Sequence, residues 1–342
     1  RGTSAVVTTP PTYTLDRWKT YLGSTGGVQT VTQQTLTASD TPYQYGFRYS
    51  QRTTMTVGPQ GGVTTVDQNA LQQVIEGYNV ADLNWGTSFG APVTISFWFR
   101  SNLSTGSLIP ITLRTQPTPN TYVTTFTTTG SGTWQYVTAT VPPPPNGVGF
   151  ASSTSGALVL DIAVVSGSTG TTVNAWSAVN QPFAPGCTYW SAQAGNYIEI
   201  TGVQLEKGTV ATPFEFRNYA QELALCQRYY YQITQTASGA GQYPAIGTIH
   251  MRNTTLSAAC ITLPVNMRAQ PTFSNTCVLQ FDWDAVVGGP GNLTSPALQT
   301  TKSTNRELLL TATQVSTGTQ GQAGALVMGA GAGTYVAFNA EL

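Results

Sequence analysis

Very few side chains in this 342-residue chain can act as acids, bases, nucleophiles or metal ligands: 14 Lys and Arg, 14 Asp and Glu, one histidine and four cysteines. A single histidine, His250, excludes a multi-histidine metal site and the HExxH helix. With no acidic or thiol neighbour in sequence, it reads as a satisfied, partly buried side chain. Cys187, Cys226, Cys260 and Cys277 show no CxxC spacing and read as small buried apolar residues. Asp282-Trp283-Asp284 is the arrangement nearest to a reaction site. On a strand it sets two carboxylates about 7 Å apart on one face. That spacing is open to a glycosidase acid pair, to two calcium ligands, or to charges that discourage edge pairing. The last is the expected role, and no catalytic residue is assigned.

Aromatic side chains offer the other chemistry, because a flat ring packs well on the apolar face of a sugar. Trp18, Phe97, Trp98 and Trp134 read instead as core residues of a sandwich. Trp176, Tyr189 and Trp190 lie in a loop-rich stretch with Asn174 and Gln193, and loops are where binding residues concentrate. They are the candidate carbohydrate-binding residues, with burial between subunits as the competing reading.

The elements that must carry these residues are strands. Val93–Arg100, Thr121–Thr129, Trp134–Val141 and Tyr197–Leu205 alternate apolar and polar side chains over much of their length, and Ala157–Val165 reads as a strand buried on both faces. Gly, Pro and Ser turns separate them, and no glycine cluster opens an amphipathic helix, so a phosphate-cradling loop is excluded. The expected fold is all-β: an antiparallel jelly-roll or β-sandwich over residues 1–217, a short linking helix over 218–232, and a second, smaller β-sandwich over 233–342. In the helix Asn218 caps the start with Gln221 three residues on, and Leu223 and Cys226 should face protein. A further helical turn is expected around Asn69–Glu76. Only 8% of the residues are charged, against about 25% in an average globular chain. The zero net charge and only three lysines remove electrostatic steering toward nucleic acid or anionic membrane. No apolar run reaches the length of a membrane-spanning helix, and Arg1–Val7 has neither region of a secretory leader.

Weak charge repulsion also favours self-association. Leu308, Leu309, Leu310, Tyr335 and Phe338 are the residues expected at such an interface, where closed symmetry would bury apolar runs and strand edges together.

Several longer stretches resemble a family of tailed-bacteriophage structural proteins, the tail fibres and virion appendages, many of which carry jelly rolls like those of carbohydrate-binding modules. The resemblance begins at Thr14-Leu-Asp-Arg-Trp18 and continues through Gln73–Gly86 and Pro92–Ser101. It is most specific at Ile200-Thr-Gly-Val-Gln-Leu-Glu-Lys-Gly-Thr-Val-Ala-Thr-Pro-Phe-Glu-Phe-Arg217, which runs into Glu222–Tyr230. It covers most of residues 10–272, and no family wording follows Ser274. The resemblance implies a non-enzymatic virion component assembled in the bacterial host cytoplasm. Such a component would be a short tail-fibre or appendage module engaging host-surface polysaccharide. The alternative is a head fibre or capsid decoration protein that stabilises or projects from the capsid lattice. It further implies a homotrimer contacting tail, portal or capsid proteins, with no cofactor beyond a structural calcium ion at Asp16, Glu199 and Glu206 by analogy with jelly-roll binding modules. Neither heptads nor β-helical repeats of a long shaft or a depolymerase tailspike are evident.

Overall fold

The computed structural model describes residues 2–8, 12–15, 17–23, 26–59, 68–166, 170–235, 244–282, 291–314, 319–329, 331 and 333–342. The chain divides into two compact units, Arg1–Phe216 with Leu342, and Arg217–Glu341.

The first unit opens with β1 (Ser4–Val7), β2 (Thr12–Tyr13), β3 (Lys19–Leu22), β4 (Val28–Thr35), one helical turn α1 (Thr41–Gln44), β5 (Tyr49–Val57) and β6 (Gln68–Glu76). It continues with β7 (Val93–Ser101), β8 (Leu108–Thr115), β9 (Thr121–Thr127), β10 (Gln135–Val141), β11 (Gly156–Ser166), β12 (Trp176–Ser177) and β13 (Tyr197–Lys207). These strands form two antiparallel sheets, β1-β4-β5-β13-β7-β10 and β12-β9-β8-β11-β6-β3-β2. The unit is the antiparallel sandwich that the strand alternation calls for. Val93, Ile95, Phe97 and Phe99 of β7 meet Leu158, Leu160 and Ile162 of β11 in the core between the sheets. Phe126 lies edge-on to Phe97 and Phe99 at 5.9 and 5.0 Å. Each such buried side chain contributes about 1.5–3 kcal/mol.

Residues 69–76 are strand β6 and not a helical turn. Leu71 points into the inter-sheet core while Ala70 packs on the opposite side, a period of two. Described residues of β11 from Ala157 to Val165 are buried on both faces, because the chain from residue 170 to 190 covers the outer side of its sheet. Phe183, Ala184 and Cys187 pack there against Ala70, Val123 and Val164. Asp161, fully buried on this outer side, accepts from Arg114 Nε and Gln72 Nε2, each at 2.8 Å, and Arg114 Nη1 reaches Asn180 at 3.1 Å. Trp98 is buried as expected of a core residue, but it sits on the outer side of the other sheet, with Leu36, Phe47 and Trp134.

The second unit begins with helix α2 (Tyr219–Gln227), followed by β14 (Tyr230–Thr234), β15 (Ala245–Met251), β16 (Leu256–Thr262), β17 (Thr272–Asn275) and β18 (Leu279–Asp282). Its last strands are β19 (Gly291–Leu298), β20 (Glu307–Gln314), β21 (Ala323–Met328) and β22 (Tyr335–Asn339). Where the sequence reading expects a second, smaller β-sandwich, β15-β16-β20-β19-β18-β21 close on themselves as a barrel, beside a three-stranded sheet β14-β22-β17. Closure pairs both ends of the sheet and removes its edges.

The barrel also revises several residues. Leu308 and Leu310 of the barrel and Phe338 of β22 share one core, at most 2% exposed, and have no surface to offer another subunit. By alternation Leu309 and Tyr335 point the other way and are half-buried. The same alternation turns His250 and Cys260 outward, between inward Ile249 and Met251 and inward Ala259 and Ile261. Asn218 caps α2 as its sequence indicates, its side chain accepting from Gln221 N at 2.9 Å. The helix buries nothing: Leu223 and Leu225 are exposed and Cys226 is half-buried. The spacing Ala220-Leu223-Cys226-Tyr230 does not make one packed stripe, because the helix ends at Gln227 and Tyr230 already belongs to β14.

Leu310→Ala should therefore destabilise the second unit by about 2–5 kcal/mol. Leu223→Asp should stay within about 0.5 kcal/mol of the parent. Urea denaturation of the two variants, followed by near-ultraviolet circular dichroism, reads both values.

Candidate functional site

The outer face of the six-stranded sheet brings a cluster of charged side chains together with several aromatic rings. Register lines up Arg52, Glu199 and Arg100 across β5, β13 and β7, and Thr201, Trp98 and Tyr136 across β13, β7 and β10. Glu199 is fully buried. Arg52 Nε and Nη2 both lie 2.9 Å from Oε2, and Arg100 Nη2 lies 3.0 Å from Oε1. Ser50 donates its hydroxyl to the same carboxylate. Two guanidiniums on one carboxylate would leave surplus positive charge in a dry place. Asp40 supplies the fourth charge, with Oδ1 2.7 Å from Arg100 Nη1. The four groups are neutral together. Arg100 further lies over the Trp134 ring at 4.5 Å and Arg52 over the Tyr197 ring at 4.3 Å, contacts that favour a cation on an aromatic face.

Asp40 belongs to the loop before α1, so the cluster pins that loop to the sheet. Its carboxylate accepts from Thr37 N at 2.9 Å, Thr37 Oγ1 at 3.0 Å and Trp134 Nε1 at 3.0 Å. Burial pushes its pKa up, but the Thr37 amide, the Trp134 indole, the Thr37 hydroxyl and the Arg100 charge outweigh it and hold Asp40 below the ordinary carboxylate value. For Arg100 burial works against the charge, and the hydrogen bonds and charges of Glu199 and Asp40 prevail, raising its pKa.

With the loop fixed, Tyr45 rests on Trp98 at 5.1 Å, and Tyr136 rests on Trp98 at 5.2 Å. Trp98 itself is 8% exposed, whereas Tyr45 is 60% and Tyr136 46% exposed. Thr138 and Thr140 continue the exposed row of β10. Two accessible phenol rings over a buried indole, beside hydroxyl groups, make a surface able to stack on a flat apolar ligand face and bond to its rim.

A second segment, residues 208–216, crosses the same sheet. Thr94 and Thr140 donate to the carbonyls of Gly208 and Thr209 at 2.9 and 3.2 Å. Glu206 accepts from Thr212 N at 2.9 Å and Oγ1 at 2.6 Å. Burial opposes the charge on Glu206, but these bonds and one from Gln204 lower its pKa below the ordinary value. Phe214 and Phe216 then pack on Phe47 at 5.0 and 5.2 Å. Gly202, at φ +62°, makes this possible: a Cβ there would lie 2.4 Å from the Phe47 ring.

The residues singled out in sequence fall elsewhere. Trp190 is 1% exposed and donates its indole N–H to Ala163 O at 2.8 Å inside the core, so no face is left for a ligand. Tyr189 is half-buried against Phe183, and Trp176, half-buried, donates to Pro142 O at 2.9 Å and meets Trp85 edge-on. The three are packing residues of the sandwich and its cover. Glu199 and Glu206 stand seven residues apart on β13, roughly 23 Å along a strand. Each is held by protein partners, so they do not share a metal ion, and Asp16 lies outside the described residues. Asp282 is half-buried at the end of β18, and Asp284 lies outside the described residues. Among the described residues no group of three or more His, Cys, Asp or Glu could hold a metal. Sequence reasoning missed Tyr45 and Tyr136. Their signal was present: Tyr43-Gln-Tyr45-Gly-Phe47-Arg-Tyr49 sets an aromatic at every second position, and Tyr136 shares alternation with Thr138 and Thr140.

No protein-family model matches the chain, and no curated protein matches it. Among solved structures it is similar to the enzymatically active domain of tailspike protein 4 of bacteriophage CBA120, at 15% identity and TM-score 0.31, over 56% of this chain and 19% of that one. The matched part is thus about a fifth of the tailspike domain. A protein from Bacteroides thetaiotaomicron matches at 11% identity and TM-score 0.34, over 59% of this chain and 92% of its own. A family 11 carbohydrate-binding module from Clostridium thermocellum, solved with a β-1,3-1,4-mixed-linked tetrasaccharide, matches at 10% identity and TM-score 0.28, over 61% and 98%. Likenesses this remote say nothing of this chain's ligand or activity.

Two results follow from the charge cluster. Arg100→Leu leaves Glu199 buried with one guanidinium and Asp40 with none, and should cost about 3–5 kcal/mol in a denaturation curve. Because the folded pKa of Asp40 is depressed, its stabilisation is present above the unfolded carboxylate value and is lost as pH falls through the folded one. Acid titration should therefore shift the Trp134 indole N–H resonance at a pH below about 4, and Asp40→Asn should abolish that step.

Proposed function

We propose that this chain is a non-enzymatic structural protein of a tailed-phage virion, a short tail-fibre or appendage module that engages host-surface polysaccharide. The ligand-binding surface in this reading is the outer face of the six-stranded sheet, and the working form is a homotrimer that contacts other virion proteins. The observation that carries it is the exposure of Tyr45 and Tyr136 against Trp98, the first on the loop that the charge cluster pins and the second on β10 beside hydroxyl-bearing residues. A preorganised aromatic surface loses little entropy on binding.

The sequence resemblance supports the virion assignment, and its most specific stretch, Ile200–Arg217, is here the bulge at Gly202 and the segment that crosses this same sheet. Self-association is supported by the 8% charge content and zero net charge. In this reading the buried carboxylates hold loops in place and transfer no protons.

Binding of the purified chain to an array of bacterial surface polysaccharides tests the reading. The double variant Tyr45→Ala, Tyr136→Ala should lose at least about tenfold in affinity for whichever glycan is retained, with an unchanged melting curve. Equal binding by variant and parent would remove this face as the site. Failure of the parent to retain any glycan, together with binding to purified capsids, would favour the decoration protein over the appendage. Light scattering on the eluting protein should give three times the 36.2 kDa chain mass, and a monomer would remove the trimer.

A further inference from the structure

Within the largely apolar core of the jelly roll, one stretch of β4 and β5 turns polar side chains inward. Val31 and Met55 belong to the inter-sheet core, so alternation turns Gln29 on β4 and Gln51 and Thr53 on β5 to the same inner side. Gln29 is 1% exposed, Thr53 0% and Gln51 9%. Both amide atoms of Gln29, Nε2 of Gln51 and Oγ1 of Thr53 are buried without a hydrogen-bond partner among the described residues. From the facing sheet Asn69 adds another inward polar group: its Nδ2 donates to Ser191 Oγ at 2.8 Å, and its Oδ1 has no such partner.

The register sets these side chains beside one another. Gln29 stands opposite Met55, and Val31 opposite Thr53. Gln29 and Thr53 are therefore diagonal neighbours, roughly 7–8 Å apart, and Thr53 and Gln51 are alternate residues of one strand, about 7 Å apart. A glutamine can span such a separation, as Gln34 Nε2 does to Thr32 Oγ1 at 2.7 Å on β4. The buried atoms of Gln29, Gln51 and Thr53 make no such bond among the described residues, and one bridging molecule making two bonds of about 2.8 Å each would satisfy them. A buried polar atom left unpaired costs a hydrogen bond's worth of desolvation, and several in one row would consume much of a domain's marginal stability.

The chemistry of the row selects its occupant. It presents donors, Gln29 Nε2 and Gln51 Nε2, beside acceptors, Gln29 Oε1 and Thr53 Oγ1. A cation would be repelled by the amide donors and an anion by the amide oxygen, whereas water donates and accepts at the same point. We propose that Gln29, Thr53 and Gln51 bind a row of ordered water molecules inside the jelly roll, a hydration site built into β4 and β5. This site is independent of the aromatic face on the outer side of the sheet and makes no use of the glycan reading.

Two measurements on the full chain test it. A high-resolution crystal structure should show water within hydrogen-bonding distance of Gln29 and Thr53 on the inner side of the sheet. Thr53→Val keeps the side-chain shape and removes the hydroxyl. In a hydrated row it strips a partner from a bound water and should lower the melting midpoint of the first unit by roughly 2–4 °C. In a dry core the same change removes an unpaired polar group and raises the midpoint. A rise in the midpoint overturns the proposal. So does electron density in which the Gln29 amide contacts another protein group directly or holds a cation. If Thr53→Val does not fold, the parent crystal structure alone decides between these outcomes.

Discussion

A carboxylate buried on the outward side of a sheet, where solvent would ordinarily serve it, constrains everything around it. Glu199 is that group. Its charge is tolerable only because Arg52 and Arg100 meet it from both neighbouring strands, and their excess charge is tolerable because Asp40 arrives from a loop. The loop is thus fixed by electrostatics rather than by its own short helical turn, which buries only Pro42. Once it is fixed, Phe47 becomes a packing site for Phe214 and Phe216, and Tyr45 is set against Trp98. Replacing such a cluster with apolar residues can be neutral for stability. The cluster's consequence is positional: it decides where the loop that carries Tyr45 stands against Trp98.

The opposite sheet repeats the device with different residues. Asp161, equally buried and equally outward, holds Arg114 and Gln72, and Arg114 reaches Asn180 in the chain that covers that sheet. A protein with 8% charged residues has placed some of its few charges where each locks a covering segment to a sheet. The uncharged remainder is served by threonine and glutamine, whose side chains bond to covering loops at Thr94, Thr112, Thr140 and Gln204.

Alternation made the strands of the sandwich legible in sequence, because a half-buried strand writes its burial in a period of two. It also made β6 ambiguous, since Asn69–Glu76 mixes polar and apolar residues on both faces. Barrel closure in the second unit was not legible: pairing of β15 with both β16 and β21 depends on long-range register, which no local pattern encodes. The interface residues failed for the same reason. Leu308-Leu309-Leu310 looks like an exposed apolar run until closure gives two of its members an interior. Glu199 enters the sequence reading only as a calcium ligand, by analogy with jelly-roll binding modules. The true partners, Arg52 and Arg100, lie 147 and 99 residues away in the chain. Trp176, Tyr189 and Trp190 were chosen because they sit in a loop. That loop is the cover of a sheet, so its aromatics point inward.

Hydrogen–deuterium exchange on Glu199→Gln tests most directly whether this cluster, rather than the sandwich core, positions the aromatic face. The amide keeps the shape and removes the charge. Exchange should quicken in residues 36–48, including Tyr45 and Phe47, while β6, β8 and β11 of the opposite sheet keep the protection of the parent. Unchanged protection throughout residues 36–48, or equal loss across both sheets, would contradict the account.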